Sequence, residues 1–282
     1  MKTAIYYKTK RVTVNLLIHL FLLTVAATCI FPLLWMVSSS LKTQEQIFRD
    51  TSLIPREFHF ENYYLAWKEG GFGRYFLNSI AYTVLVVIGI VVIASLAAYA
   101  FSRLRFPGRN ILLVMFMAAM MIPIPGSFVP LYVLLNKLHL RDTSFGYILC
   151  MINVGLSTSI FLLKTFFDKM PKELEDAARI DGCSKLGIWW NVALPLSGPV
   201  LAVVVVFNAL NVWNEYVLAL IIFDNKAHMP LQVALMTFQG EFITRYPLLM
   251  AGLTITALPI IIAYLLMQKY IVKGVTQGAI VG

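Results

Sequence analysis

The sequence predicts an all-α integral membrane protein with six transmembrane helices and both termini in the cytoplasm. Of its 282 residues, 59% are hydrophobic and only 13% are charged. The apolar residues fall in runs of about 20, which is the length that a helix needs to cross a bilayer. The predicted spans are 14–37, 77–101, 111–135, 145–167, 197–223 and 247–267, within a single membrane domain over 1–282 that includes a cytoplasmic loop at 168–196 and a tail at 268–282.

The distribution of lysine and arginine predicts the orientation. With the N-terminus inside, the inner segments hold fourteen of these residues and the outer segments hold nine. The positive-inside rule then places both termini and the 168–196 loop in the cytoplasm. A five-span arrangement would put that loop outside, against its excess of basic residues over the short outer loops. The net charge of +9 is explained by these loops, and a nucleic-acid partner is not predicted, because no basic face remains once the spans are removed.

The first apolar run is predicted to be an uncleaved span. It covers about 14–37, whereas the apolar part of a cleaved signal peptide has only about 7 to 15 residues. A lipoprotein signal ending at Cys29 is disfavoured because the apolar run continues beyond that cysteine.

The third predicted span is interrupted at Met121–Gly126, where Pro123 and Pro125 remove backbone donors and must kink or break a helix. Broken backbone at membrane depth is tolerated where it is surrounded by protein or lines a water-filled cavity. The segment is therefore either part of a pathway wall or a simple loop at the membrane surface, and the sequence favours neither.

The most polar stretch between two apolar runs is Pro171–Pro195, which we call the elbow. Its pattern predicts two short helices. Pro171 suits a first helical position, Asp181 and Gly182 supply a stop, Ser184 caps the second helix and Pro195 ends it. We expect the elbow to lie in the cytosol and to be pushed by another protein.

One face of the first elbow helix is predicted to hold Leu174, Ala177 and Ala178, which are spaced i, i+3 and i+4. The alternative is that the elbow is an amphipathic loop lying on the membrane without a partner. Its charges are mixed in sign, which is unfavourable for binding an anionic lipid surface.

Polar residues inside the fifth predicted span are candidates for a solute pathway. Asn208, Asn211 and Glu215 are spaced i, i+3 and i+7, so they would share a helix face. A charge in hydrocarbon costs about 2.5–3.5 kcal/mol on insertion scales, so Glu215 should face protein or water. The alternative, which the sequence favours, is a hydrogen-bonded clamp between helices or to a partner subunit.

Motifs for other functions are missing from the sequence. It contains no G-x-x-x-x-G-K-[ST], G-x-S-x-G, H-E-x-x-H or paired-cysteine motif. No catalytic residue, cofactor or metal is therefore predicted on this chain. An intramembrane enzyme would need more ionisable groups at membrane depth, and an ion-coupled secondary transporter would be expected to show an internal repeat between 1–140 and 141–282.

The elbow resembles a known signature. DAARIDG (176–182), nine residues and then Val192-Ala193-Leu194-Pro195 are similar to the E-A-A-x3-G-x9-I-x-L-P loop of permease subunits of bacterial ABC importers, with Asp176 in place of glutamate. The branch that it resembles is that of the sugar-importer permeases of the maltose MalG type. The supporting stretches are FPLLWMVSSSLKT (31–43), FHFENYYLAW (58–67), AYAFSRLRFPGR (98–109), MIPIPGSFVPLY (121–132), WNEYVLAL (213–220) and KGVTQGAIVG (273–282).

This resemblance implies the MetI/MalG-like ABC importer permease fold and a coupling role for the elbow. The residues implied in coupling to an ATPase are Glu175, Asp176, Ala177, Ala178, Asp181, Gly182, Leu194 and Pro195. The tail residues implied in a second contact with the ATPase are Lys273, Gly274, Gln277 and Gly278.

The resemblance also implies partners and a location. The partners are a homologous second permease (MalF-like), two copies of a cytoplasmic ATPase (MalK-like) that carry ATP and Mg²⁺, an extracytoplasmic solute-binding protein that docks on 38–76 and 224–246, and membrane lipid. The implied location is the bacterial inner membrane. The implied solute is a sugar or sugar-like compound, with glycerol phosphate or a charged oligosaccharide as the alternative.

Overall fold

The computed structural model describes the backbone of residues 2–121, 124–240 and 244–279, and side chains within 13–121, 126–240 and 244–268. In those ranges the regular structure is helical, apart from one isolated antiparallel bridge between Gln239 and Thr244. The helices are α1 (Lys2–Ser40), α2 (Gln44–Arg49), α3 (Glu61–Glu69), α4 (Phe72–Arg103), α5 (Arg109–Ala119), α6 (Phe128–Lys137), α7 (Ser144–Lys169), α8 (Lys172–Ile180), α9 (Lys185–Ile188), α10 (Leu194–Leu196), α11 (Gly198–Asn214), α12 (Val217–Ile222), α13 (Leu231–Ala234) and α14 (Tyr246–Ala279).

The all-α membrane class is confirmed, because several of these helices are long and apolar enough to cross a bilayer. In the part of the chain that the structure describes they number four: α1 from Thr13, α4, α7 and α14 as far as Gln268. A fifth is added if Lys185–Leu196 and Gly198–Asn214, which meet at an angle of 80°, form one broken span. The count of six and the side of the membrane on which the termini lie stay predictions.

The third predicted span consists of two shorter helices. α5 has 11 residues and α6 has 10, and a 3-10 turn at Ile124–Ser127 precedes α6. The interruption predicted at Met121–Gly126 therefore has helix ends on both sides, although residues 122 and 123 lie outside the described ones. The choice between a pathway wall and a surface loop stays open.

The chain divides into two compact units, of which the first comprises Met1–Gly70 and Phe238–Ile255. In this unit the side chain of Lys42 is buried, and its Nζ donates to the backbone oxygens of Asp50 (2.8 Å) and Ser52 (2.6 Å). The same ammonium lies 5.2 Å from the centre of the Trp35 ring. These contacts compensate the buried charge and fold the chain that follows α1 into an ordered segment.

Two distant segments of the first unit are also joined by polar contacts. The Gln44 side chain donates to the Thr244 carbonyl (2.7 Å) and accepts from the Tyr246 amide (3.0 Å). Arg245 forms an ion pair with Glu69. Parts of the two predicted outer loops are therefore held together within this unit.

The second unit comprises Gly71–Thr237 and Thr256–Gly282, and its core lies among α4, α7 and α11. These helices approach one another closely at Gly155 of α7. A Cβ atom on that glycine would lie 2.0 Å from the Asn208 Oδ1 of α11 and 2.5 Å from the Ile90 Cδ1 of α4. The position therefore admits no side chain unless a neighbour moves.

The last helix continues through the predicted tail. α14 extends to Ala279, whereas the predicted span ends at 267. The side chains of the tail residues Lys273, Gly274, Gln277 and Gly278 lie outside the described ones, and so does the whole of 280–282.

Candidate functional site

The first elbow helix, α8, begins and ends near the residues that the sequence predicts. Pro171 is extended (ψ 132°) and immediately precedes α8, so it lies one position before its predicted place. At the other end Gly182 has a φ of +83°, a conformation that L side chains rarely adopt. The amide of Cys183 donates to Ala178 O (2.9 Å) and that of Gly182 donates to Arg179 O (3.0 Å), which is the Schellman arrangement.

The second elbow helix is capped by Ser184, as predicted. The hydroxyl oxygen of Ser184 accepts the amide of Gly187 at 3.1 Å. The two caps together fix a tight reversal at 181–184 that needs no contact from another part of the chain.

The prediction that Pro195 ends the second helix is wrong in detail. The helix continues to Leu196 because the preceding turn, Trp189–Ala193, widens into a π turn. The amide of Leu194 donates to Trp189 O, five residues back, so the helix accommodates a proline that cannot donate. The chain then breaks at Ser197, where the 80° bend into α11 occurs.

The two faces of α8 differ sharply in burial. Glu175 is 3% exposed and Ala178 is 8% exposed, whereas Leu174 is 43% exposed and Ile180 is 88% exposed. Leu174, Ala177 and Ala178 lie on one side of the regular helix α8, as their spacing predicts, but Ala178 is buried at the edge next to Glu175 whereas Leu174 and Ala177 are exposed. Residues 175 and 178 point into the protein, and Leu174 and Ala177 point out.

Four large apolar side chains of the elbow are exposed, and we call them together the elbow surface: Leu174 and Ile180 of α8, Leu186 of α9 and Trp190 of the π turn. Large exposed apolar side chains are candidates for contact with another protein. Asp176 lies among exposed residues and pairs with Arg179 at 3.0 Å.

Glu175 faces away from that surface and meets Arg103, the last residue of α4. Its Oε1 lies 2.7 Å from the Arg103 Nε, and both side chains are buried. The two atoms are in contact without the alignment of a hydrogen bond, so we describe the contact as an ion pair. The sequence pattern did not predict a role for Arg103. The need for a basic partner becomes visible only in the structure, where Glu175 and Ala178 are the buried residues of α8.

The remaining predicted coupling residues differ in exposure. Ala177, Asp181, Gly182 and Pro195 are exposed, and Leu194 is half-buried.

The polar residues predicted for a solute pathway do not share one face. Asn208 is buried, and its Nδ2 donates to Ser159 Oγ (3.0 Å) and Val204 O (2.8 Å). Asn211 is exposed. Glu215 lies beyond the last residue of α11, where its Oε1 accepts the Leu218 amide at 2.6 Å in the first turn of α12. These contacts support the clamp interpretation for Asn208.

The long apolar helices define a multi-pass membrane protein. Residues 89–277 match the family described as binding-protein-dependent transport system inner membrane component, and the chain belongs to that family. A probable ABC transporter permease protein of Bacillus subtilis, YurM, is 37% identical over 94% of this chain and 87% of its own length. The diacetylchitobiose uptake system permease protein NgcG of Streptomyces coelicolor is 30% identical over 92% of this chain and 87% of its own.

A solved structure is similar over nearly the whole chain. It is a bacterial ABC transporter involved in the import of the acidic polysaccharide alginate, matched with a TM-score of 0.81 and 25% identity over 91% of this chain and 95% of that chain. The resemblance to carbohydrate-uptake ABC permeases is thus confirmed, and so is the multi-pass membrane location. The family works with an ATPase, a second permease and a solute-binding protein.

Proposed function

We propose that this chain is the transmembrane subunit of an ATP-driven importer that moves a sugar or sugar-like solute across the bacterial inner membrane. The observation that carries the proposal is the family match over 89–277, which contains the whole elbow. The names of similar proteins, which concern diacetylchitobiose uptake and alginate import, favour a carbohydrate. Glycerol phosphate and a charged oligosaccharide remain the alternative solutes.

The elbow is proposed to lie in the cytosol and to receive the force of a separate ATPase. Its exposed apolar side chains, such as Ile180 and Trp190, have no cover within the described part of the chain. A cleft on a partner would remove them from water, which stabilises a complex. Among the coupling residues, those on the exposed side are proposed to touch the partner: Asp176, Ala177, Asp181 and Gly182.

The other partners follow from the same proposal. α1 exposes its apolar side chains from Val14 to Leu34, which suits contact with lipid and with a homologous second permease. Two ATPase copies would carry ATP and Mg²⁺, since this chain has no nucleotide-binding loop motif. The tail residues after Gln268 would make a second ATPase contact, and a solute-binding protein would dock on 38–76 and 224–246.

Transport measurements in proteoliposomes test the proposal. The complex to be reconstituted contains this chain, the second permease, the ATPase and the solute-binding protein. It is expected to accumulate a labelled sugar only when ATP is present on the side of the membrane where the ATPase lies. A protonophore should leave the initial rate unchanged. Uptake that persists without the ATPase and collapses with the proton gradient would contradict the proposal and favour an ion-coupled carrier.

A solute contact at Asn211 and Glu215 is a separate part of the proposal. Asn211→Ala and Glu215→Gln are each expected to raise the sugar concentration at half-maximal uptake by about 2- to 10-fold, the effect of losing a hydrogen bond of about 0.5–1.5 kcal/mol. Glutamine at 215 still offers an oxygen to the Leu218 amide, so the cap is kept and only the charge is removed.

Asn214→Ala is the matched control for these two variants. Its side chain already donates to Leu210 O at 2.9 Å within the helix, so its loss should leave the uptake affinity unchanged. Wild-type affinity in both Asn211→Ala and Glu215→Gln would remove the solute contact from the account.

A further inference from the structure

Glu175 is a charged side chain that the elbow buries against its own protein. Within α8 the buried residues are Glu175 and Ala178. A carboxylate removed from water is strongly unfavourable without a cationic partner. The partner is Arg103, the residue at which α4 ends.

The Arg103 guanidinium connects three elements at one point. Its Nε lies 2.7 Å from the Glu175 Oε1 of α8. Its Nη2 donates to the backbone oxygen of Met170, the residue that immediately follows α7. Arg179 approaches the other carboxylate oxygen from the exposed side, at 4.0 Å. The end of α4, the end of α7 and α8 therefore meet at one buried ion pair.

The end of α4 is also firmly packed. Tyr99, one turn before Arg103, is buried and packs edge-on against Phe167 of α7, with ring centres 5.9 Å apart. Farther along α4, Val86 and Ile90 are fully buried in the core of the second unit. A displacement applied at Arg103 therefore acts on a helix that is anchored along its length.

We propose that the Arg103–Glu175 ion pair is the link that transmits a displacement of α8 to α4. Glu175 is a positioning residue in this account. It faces its own chain, and the neighbouring Asp176 faces outwards. A buried ion pair resists separation, because pulling it apart leaves two uncompensated charges away from water. It therefore transmits force better than a loose apolar contact of the same size. The inference rests on the proposed function, since it presupposes an ATPase that moves the elbow.

Transport per ATP hydrolysed is the quantity that tests the link. In the complete importer complex, Glu175→Gln is expected to keep the ATPase bound, because the outward-facing residues of α8 are unchanged. The amount of sugar moved per ATP should fall by about ten-fold, within the range of coupling between distant sites. Glu175→Asp keeps the charge but has a shorter side chain. The amount of sugar that it moves per ATP should lie between the values of the wild type and of Glu175→Gln.

A double variant separates transmission from mere stability. Arg103→Met with Glu175→Leu removes both charges and keeps most of the volume, so the melting temperature of the complex should recover towards that of the wild type. Sugar moved per ATP should stay low, because the directional contact is gone. Recovery of both quantities in the double variant would overturn the inference, since the pair would then be structural only.

Lys164→Gln is the matched control. It removes an ion pair with Asp168, at 2.6 Å within α7, that lies near the same end of the helices and does not involve α8. It should move as much sugar per ATP as the wild type.

The outcomes separate the two proposals. Glu175→Gln with wild-type sugar per ATP, or with the ATPase lost from the complex, overturns the inference alone. A wild-type complex without ATP-dependent uptake overturns the proposed function and the inference together.

Discussion

Gly182→Glu is expected to abolish sugar uptake and its coupling to ATP hydrolysis, while the chain still inserts into the membrane. Gly182 holds the reversal between α8 and α9 at a φ of +83°, and an L residue in the left-handed conformation costs about 1–2 kcal/mol. A Cβ at this position would meet no atom within 4 Å, so the cost lies in the backbone and not in a clash. The glutamate also adds bulk and charge beside Asp181, on the side proposed to meet the ATPase.

Two further substitutions at Gly182 separate these contributions. Gly182→Asn should retain most sugar uptake, because asparagine tolerates the left-handed conformation. The uptake of Gly182→Ala should lie between that of the asparagine and that of the glutamate variant. Uptake in proteoliposomes, the rate of ATP hydrolysis and the amount of chain in the membrane are measured for all three. Normal uptake by Gly182→Glu would contradict a role for this turn in coupling, and equal loss in Gly182→Asn and Gly182→Glu would contradict the backbone argument.

Gly155→Ala is expected to destabilise the complex by about 1–3 kcal/mol, the usual penalty for overpacking a core. The new methyl group would lie 2.0 Å from Asn208 Oδ1. Asn208 cannot easily move aside, because its amide is already bonded to Ser159 and Val204. A lower melting temperature of the purified complex is the measurement.

Gly89→Ala is the matched control for this substitution. Its methyl group would lie 2.5 Å from Ile152 Cδ1, the far end of a flexible side chain that can rotate away. Its melting temperature should therefore fall by less than that of Gly155→Ala. A second check is Gly155→Ala combined with Asn208→Ala, which removes the nearer of the two clashing groups and leaves the flexible end of Ile90. No relief of the Gly155→Ala destabilisation in the double variant would show that the contact with Asn208 is not its cause.

The local geometry of the elbow could be predicted from the sequence because its signals act over short range. The stop at Gly182 and the cap at Ser184 depend on residues within five positions of each other, and both are present. The family could also be inferred from these residues, since the elbow carries the motif. The membrane class followed from the length of the apolar runs alone.

The features that the sequence did not predict are irregularities in the helices and one contact between residues far apart in the sequence. The continuation of the helix past Pro195 requires the π turn before it, and no composition rule predicts such a widened turn. Glu175 and Arg103 are far apart in sequence, so only the packing of α8 against α4 reveals their pairing. The spacing of Asn208 and Glu215 predicts that both lie on one face of a helix. Because α11 ends at Asn214, Glu215 lies outside the helix and does not share that face.

The close approach at Gly155 restricts how the second unit can move. The Asn208 amide of α11 fills the space that Gly155 leaves on α7, and it donates a hydrogen bond to Ser159 of the same helix. Sliding α7 along α11 would force other side chains into the space that Gly155 leaves for Asn208, so we expect the two helices to move together. A solute passage is then expected to open along a different pair of helices.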